Sequence, residues 1–254
     1  MTRACQAKIS DIATQISCLQ CSINTICFPS GLDLDIRDEL YNILNHPPPL
    51  ERGDLLFRTG ATMKGIYAVR SGAIKTYITD ENGQEQVTGY YLPGELLGLG
   101  AIHNGRHFQN AEALESSYLC MIPVNDINRL SKSHPQIQEQ LIHLLSKQLQ
   151  NHHKMVWHLG LKNATSRVAA LLLNCSERCH ARGFSASEIK LNLSRQDIAS
   201  HLGLAVETVS RIFGQLKKEN VITFKGRQID ILDFDTLNQH VGTKMATTEK
   251  IPRI

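Results

Sequence analysis

The chain has 254 residues, 42% hydrophobic and 20% charged, with a formal net charge of +3. That length holds one large domain or two of ordinary size with a real core, and the composition is that of a soluble globular protein. The charge is too small to identify a polyanionic partner by itself, and no run of about 18 apolar residues offers a membrane span.

The opening MTRACQAKISDIATQ lacks the apolar core of a signal peptide. The expected location is the cytoplasm, where thiols stay reduced. Seven cysteines (Cys5, Cys18, Cys21, Cys27, Cys120, Cys175 and Cys179) then point to metal or redox chemistry rather than a disulfide framework. Three of them crowd into SCLQCSINTICFP, residues 17–29, one thiol short of a closed four-ligand site.

Residues 32–46, LDLDIRDELYNILNH, form an amphipathic helix in which Leu34, Ile36, Leu40 and Ile43 can share a face. The prolines Pro47 to Pro49 end it. From Gly53 to about Pro123 the period shortens to that of strands. The runs LLFRTG, GIYAVRSGAIKTYITDENGQEQVTGYYLPGELLG and SSYLCMIP are broken by turn signals such as RSG, DENGQ, LPGE and HNGR. Many short strands so spaced predict an antiparallel sandwich or roll.

After Val124 the pattern is helical, and a long helix spans Pro135 to Leu161. At about 1.5 Å per residue it is roughly 40 Å long. Ile137, Leu141, Leu144, Leu145, Leu149, Met155, Val156 and Leu159 make its apolar stripe. The stripe fits either an ordinary core helix or a helix that pairs with its copy in a second chain. NATSRVAALLLNCSERCHARG reads as the next helix, stopped by Gly183. Cys175 and Cys179, one turn apart on it, read as structural thiols, and the His152–His153 doublet as a solvated face. The polar tail after Gly242 reads as disordered, with Cys5 free in a flexible amino end.

The strongest motif runs from Ser194 to Lys218. Ser194 followed by Asp197 starts a short helix with Ile198, Ala199 and Leu202 inward. Gly203 permits a tight turn, and Val206, Val209, Ile212 and Leu216 give the inward face of a second helix. Two short helices joined at a glycine make a helix-turn-helix, whose second helix enters the DNA major groove. Glu207, Thr208, Ser210 and Arg211 face outward early in that helix, where Arg suits guanine, Glu suits cytosine and Val206 can meet a thymine methyl. Arg195, Lys217, Lys218, Lys225 and Arg227 can hold phosphates. Ala205 stands where a Ser or Thr cap would help by about 1 kcal/mol. FKGRQIDILD follows as a small hairpin.

An α+β chain with an amino-terminal β-roll, a long helix and a carboxy-terminal winged helix-turn-helix resembles the cAMP receptor protein (CRP) family. Within it, the chain is similar to the branch of the fumarate and nitrate reduction regulator (FNR, also ANR). The matching stretches are CLQCSINTIC, YAVRSGAIK, PGELLG, ALESSYLC and LGLAVETVSRIFGQL, across about residues 16–241. The resemblance divides the chain into a cysteine-rich segment (1–30), a sensor roll (31–133), a dimerisation helix (134–161), a DNA-binding domain (162–241) and a tail (242–254).

The resemblance implies a 4Fe–4S cluster, one per subunit, on Cys18, Cys21, Cys27 and Cys120. Four thiolates also suit structural zinc. It implies no enzyme activity but an oxygen-sensing regulator that, with its cluster intact, forms a homodimer on double-stranded DNA. Oxygen would convert the cluster to a 2Fe–2S form and then to apoprotein. Glu207, Ser210 and Arg211 would read inverted TTGAT half-sites. His152 stands where FNR proteins carry an Asp that opposes pairing of the apoprotein, so residual dimer without a cluster is expected. RNA polymerase would meet the region of Ser71 and the loop Asp80 to Gln86, with Gly83 at its tip. CRP holds cAMP through an Arg–Ser pair after a GE turn. Here Arg106, His107 and Phe108 follow Gly94–Glu95, and no cyclic nucleotide is expected. The alternatives are a CRP-like regulator answering zinc or a small ligand, and an iron–sulfur enzyme or electron carrier. The second lacks any convergent acid–base motif.

Overall fold

The computed structural model describes residues 18–242; Cys5 and the tail after Gly242 lie outside the described residues. A 3-10 turn, Phe28–Gly31, leads into helix α1, Leu34–Ile43. Seven strands follow: β1 Leu55–Phe57, β2 Gly65–Ser71, β3 Ile74–Thr79, β4 Glu85–Tyr91, β5 Leu96–Leu97, β6 Asn110–Ala113 and β7 Tyr118–Pro123. They pair antiparallel in two sheets, ordered β1-β6-β3-β4 and β5-β2-β7. Phe57, Val69, Ile74, Leu97, Ala111 and Leu119 fill one core of this roll. The hairpin between β3 and β4 turns at Gly83, whose φ of +79° suits only glycine without strain.

Two helices then run in succession, α2 over Val124–Ser133 and α3 over Pro135–Leu161. α2 stands between Cys120 and the long helix, a separation that the helical pattern after Val124 left undivided. α1, α2 and the start of α3 close a second core around Phe28, Ile36, Leu40, Ile127 and Ile137. Leu34 departs from the expected inner face of α1, at 64% exposed. It is the first residue of the helix, before the apolar face has turned inward.

The apolar stripe of α3 divides between two faces. Ile137 is fully buried in its own subunit, Leu141 and Leu144 pack on the same core, and Met155 packs on the carboxy-terminal one. Those four face inward and leave the exposed side. Leu145, Leu149 and Val156 are exposed together with Ile142, which sequence reading omitted.

The carboxy-terminal part comprises α4 (Ala164–His180), β8 (Glu188–Lys190), α5 (Arg195–Leu202), α6 (Val206–Lys218), the hairpin β9 (Ile222–Lys225) and β10 (Gln228–Ile231), and α7 (Phe234–Val241). β8 pairs with β10, so the hairpin belongs to a three-stranded sheet. Leu172, Ile198, Val209, Phe213, Leu216 and Ile229 form its core. Cys175 and Cys179 are buried there, and the Tyr90 hydroxyl donates to Cys175 Sγ at 3.4 Å. Among the described residues no helix is long and apolar enough to cross a membrane.

Candidate functional site

Cys18 and Cys21 lie in a series of tight turns ahead of Phe28. The Asn24 side-chain Nδ2 donates to the Leu19 carbonyl at 2.7 Å, and the Ile23 carbonyl accepts from the backbone of Ile26 and Cys27. Cys27 directly precedes Phe28, which is 2% exposed and anchors the segment in the core. Cys120 comes from β7, opposite Ala68 of β2. The fold thus brings a local triplet and a distant fourth thiol to one edge of the roll.

Each of the six pairs among Cys18, Cys21, Cys27 and Cys120 is close enough for one charge to act on the other. Burial first, then this mutual repulsion, pushes Cys18 up to about 11 and Cys27 and Cys120 up to about 12. Arg70 opposes the rise at Cys18 and Cys120, and Arg37 opposes it at Cys18. His46 Nδ1 lies 3.8 Å from Cys120 Sγ. None of these three neighbours is legible from the cysteine spacing, since each arrives through the fold. Ionised together, the thiols would need a cationic centre among them, the condition that iron or zinc meets.

Among the described residues no three His, Cys, Asp or Glu side chains converge closely enough to hold a metal ion. Two sulfurs on one zinc, each about 2.3 Å from it, would sit about 3.8 Å apart. Four thiol donors, three from the amino-terminal segment and one from β7, are the ligand number of an iron–sulfur cluster and equally of structural zinc.

The raised values carry a sign. A thiol held neutral in the fold favours the folded segment fully below the unfolded value of about 8.5, and that favour is lost as pH rises toward about 12. Since the thiolate is the nucleophile, Cys27 and Cys120 of the apoprotein should alkylate at pH 8 at least about a hundredfold more slowly than the unfolded chain. Iodoacetamide labelling read by mass spectrometry checks this; equal rates would contradict it.

The segment is also tied to α3. Gln140 donates to the Phe28 carbonyl at 3.4 Å, Gln136 to Asp33 at 3.1 Å, and His134 Nε2 meets Glu39 at 3.0 Å. Arg37 gathers the Ser30 and Leu32 carbonyls at 2.6 and 2.8 Å. A Cβ on Gly31 would meet the Gln140 amide at 2.8 Å, so the approach is close.

At the other end, Ser194 and Asp197 form a complete capping box on α5. Gly203 takes φ +62° at the turn, and α6 starts at Ala205 without a side-chain cap. Glu207, Ser210, Arg211, Lys217 and Lys218 are exposed, and Thr208 is half-buried. Val206 is 37% exposed, so it lies on the outward face of α6 rather than the inward one. It belongs to the first turn, ahead of the Val209–Ile212–Leu216 seam. Phe213, missed in the sequence, supplies the fourth buried side chain. The Arg195 guanidinium sits 3.3 Å from the Phe213 ring centre and is half-buried, a stacked placement rather than an open one.

Within the roll, Glu95 is enclosed by cations. Its two oxygens accept from Arg178 at 2.9 and 2.5 Å and from Arg182 at 2.6 Å, and its Oε2 also from the Leu92 amide at 3.0 Å. Burial raises the Glu95 carboxyl and the two arginines outweigh it, leaving it below the usual range. His107 is 4% exposed and stacked on Phe57, with ring centres 3.7 Å apart.

A β-roll joined through a long helix to a winged helix-turn-helix defines a DNA-binding transcription regulator and not an enzyme. Residues 166–240 match the Crp-like helix-turn-helix domain, and residues 48–134 match the cyclic nucleotide-binding domain. The anaerobic regulatory protein of Pasteurella multocida is 40% identical over 236 residues, covering 93% of this chain and 86% of that protein. The fumarate and nitrate reduction regulatory protein of Escherichia coli K12 is 40% identical over 227 residues, covering 89% and 91%. The solved structure of FixK2 from Bradyrhizobium japonicum superposes with a TM-score of 0.74 at 25% identity, covering 80% of this chain and 99% of that one. The chain belongs to the CRP/FNR family of transcription regulators.

Proposed function

We propose that this regulator senses oxygen in the cytoplasm and controls genes of anaerobic metabolism. It would hold one 4Fe–4S cluster per subunit on Cys18, Cys21, Cys27 and Cys120. The observation that carries the reading is that those four thiols lie within range of one another's charge, beside residues tied to the start of α3. A bound cluster supplies an oxygen-labile link between the amino-terminal segment and β7. Phe28 and Arg37 hold that segment in place, and Gln140 conveys its position to α3.

The exposed face of α3 is the proposed dimer surface. Ile142, Leu145, Leu149, His152 and Val156 follow one another at intervals of three and four, the seam of a two-stranded coiled coil. His152 lies within the seam and is exposed in the single subunit. A neutral imidazole there repels its copy less than a carboxylate would, so some apoprotein dimer is expected. Pairing would set two copies of α6 about 34–36 Å apart, one turn of duplex. Glu207, Ser210 and Arg211, with Val206 and Thr208, would read bases in TTGAT-type half-sites, while Lys217 and Lys218 hold phosphates.

Glu95 is saturated by Arg178 and Arg182, so the roll is proposed to work without a cyclic nucleotide. Ser71 and the Gly83 turn are proposed contacts for RNA polymerase; Gly83 is exposed at the hairpin tip, and Asp80 Oδ1 fixes the turn by accepting from the Asn82 and Gln84 amides.

Iron and sulfide analysis of protein purified without air tests the cofactor. About four irons and four sulfides per subunit are expected. Stoichiometric zinc without sulfide would replace this reading with a structural zinc regulator.

A further inference from the structure

β4 is the outer strand of its sheet, in the order β1-β6-β3-β4. Its free edge would leave backbone groups unpaired. α5 covers it. Ser200 Oγ accepts the Val87 amide at 2.8 Å and donates to the Glu85 carbonyl at 2.6 Å, so one hydroxyl replaces a piece of missing strand. His201 donates Nδ1–H to the Val87 carbonyl at 3.1 Å, and the Gln86 side-chain Nε2 donates to the Ser200 carbonyl. Three successive strand residues are therefore clipped to the end of one helix.

The beginning of the same helix is held by a charge. Lys75 on β3 has a side chain only 9% exposed, and its Nζ meets Asp197 Oδ1 at 2.9 Å, Glu112 at 3.6 Å and Glu85 at 3.8 Å. A lysine so enclosed persists only when paired. Asp197 Oδ2 simultaneously accepts from the Ser194 amide and hydroxyl, at 2.9 and 2.6 Å. One carboxylate thus caps α5 and fastens it to the roll.

Two fastenings at opposite ends fix the direction of a rigid helix. α5 packs on α6 through Ile198, Ala199 and Leu202 against the Val209 and Ile212 side of one core. The direction of α6 then follows from that of α5. The docked arrangement leaves Glu207, Ser210 and Arg211 exposed, so it aims the reading face and does not cover it.

We propose that Lys75 and Ser200 are positioning residues that fix the recognition helix of each subunit relative to the sensor roll, and thereby set which half-site separation the dimer accepts. This rests on the reading of α6 as the base-reading helix of a DNA-bound dimer. A domain swinging on a loose hinge would tolerate half-sites one base pair nearer or farther. A clipped domain would reject them.

The test uses the full-length protein carrying its cluster, with Ser200→Ala and Lys75→Met as independent disruptions on the two sides of the contact. Hydrogen exchange reads the docking directly. In the unaltered protein the Val87 amide should be protected, and in Ser200→Ala its exchange should quicken roughly tenfold, the size of one lost hydrogen bond. The amides of α6 should keep their protection in both variants, which shows that they fold. Binding is then compared on inverted repeats with the natural spacing and with one base pair added or removed. The unaltered protein should prefer the natural spacing by about tenfold or more, and both variants should lose most of that preference. An unprotected Val87 amide in the unaltered protein would overturn the docking. Variants that undock yet keep the spacing preference, or bind DNA more tightly, would overturn the positioning role. Failure of the unaltered protein to bind any repeat would instead overturn the base-reading assignment, while the exchange result still decides the docking.

Discussion

Replacing Cys120 with serine is expected to remove the cluster and, with it, specific DNA binding. Cys120 is the one proposed ligand that lies on the sheet rather than in the amino-terminal segment. Serine offers a shorter side chain and a harder, far less acidic oxygen, a poor match for iron. The other three thiols could still gather metal, but no bond would join their segment to β7. Iron should fall from about four atoms per subunit to less than one. Affinity for an inverted repeat should drop toward the non-specific level, a loss of about a thousandfold. Cys175→Ser is the matched control. That thiol is buried in the carboxy-terminal core and touches Tyr90, so its loss costs about 1 kcal/mol of stability and leaves the iron content unchanged. Iron analysis and gel-shift titration on the same anaerobic preparations distinguish the two variants.

Leu149→Asp should be equally damaging by another route. Leu149 is 56% exposed in the single subunit, so aspartate there should change subunit stability by no more than about 0.5 kcal/mol. In the proposed dimer two such carboxylates would meet across the α3 seam in a partly desolvated interface, a cost of several kcal/mol. Sedimentation should show monomer at micromolar concentration even with the cluster in place. Each α6 would then meet its half-site alone, and affinity should fall by about a hundredfold or more. Ile137→Asp offers the contrast, since Ile137 is fully buried in its own subunit and its replacement should unfold the roll. A Leu149→Asp protein that remains dimeric would move the pairing surface elsewhere.

The parts of this architecture that rest on local chemistry could be read from the chain alone. The Ser194–Asp197 box, the left-handed Gly203 and the two apolar seams around them are local signals, and α5 and α6 form where those signals lie. Pro135 marks the first residue of α3 for the same reason. Where a side chain has two possible partners, periodicity is silent. The stripe on α3 held both Ile137, which turns to its own core, and Leu149, which does not, because a 27-residue helix carries apolar residues on two faces. Only the omitted Ile142 completes the heptad spacing that separates them. Val206 was misplaced inward because a first-turn residue precedes the packed seam.

Contacts made across long separations were invisible for a different reason. Arg70 and His46 reach the thiols, Arg178 reaches Glu95 and Asp197 reaches Lys75 only after the chain has folded. No spacing rule links residues 122 positions apart, such as Lys75 and Asp197. The three close cysteines mark a candidate site in the sequence, whereas the fourth proposed ligand follows only from the family resemblance. The structure adds that its place on β7 is separated from α3 by α2. In the proposed sensor, the Gln140 bond to the Phe28 carbonyl links the amino-terminal segment to α3 directly.

DNA binding followed through a change of atmosphere tests the central claim most directly. Protein loaded with iron and sulfide without air is bound to an inverted TTGAT repeat, then exposed to oxygen while ultraviolet–visible absorbance and gel shift are read together. The cluster absorbance and the specific complex should disappear in step, the complex weakening by about a hundredfold or more. Specific binding that persists unchanged after the iron has been released and chelated would contradict the oxygen-sensing account.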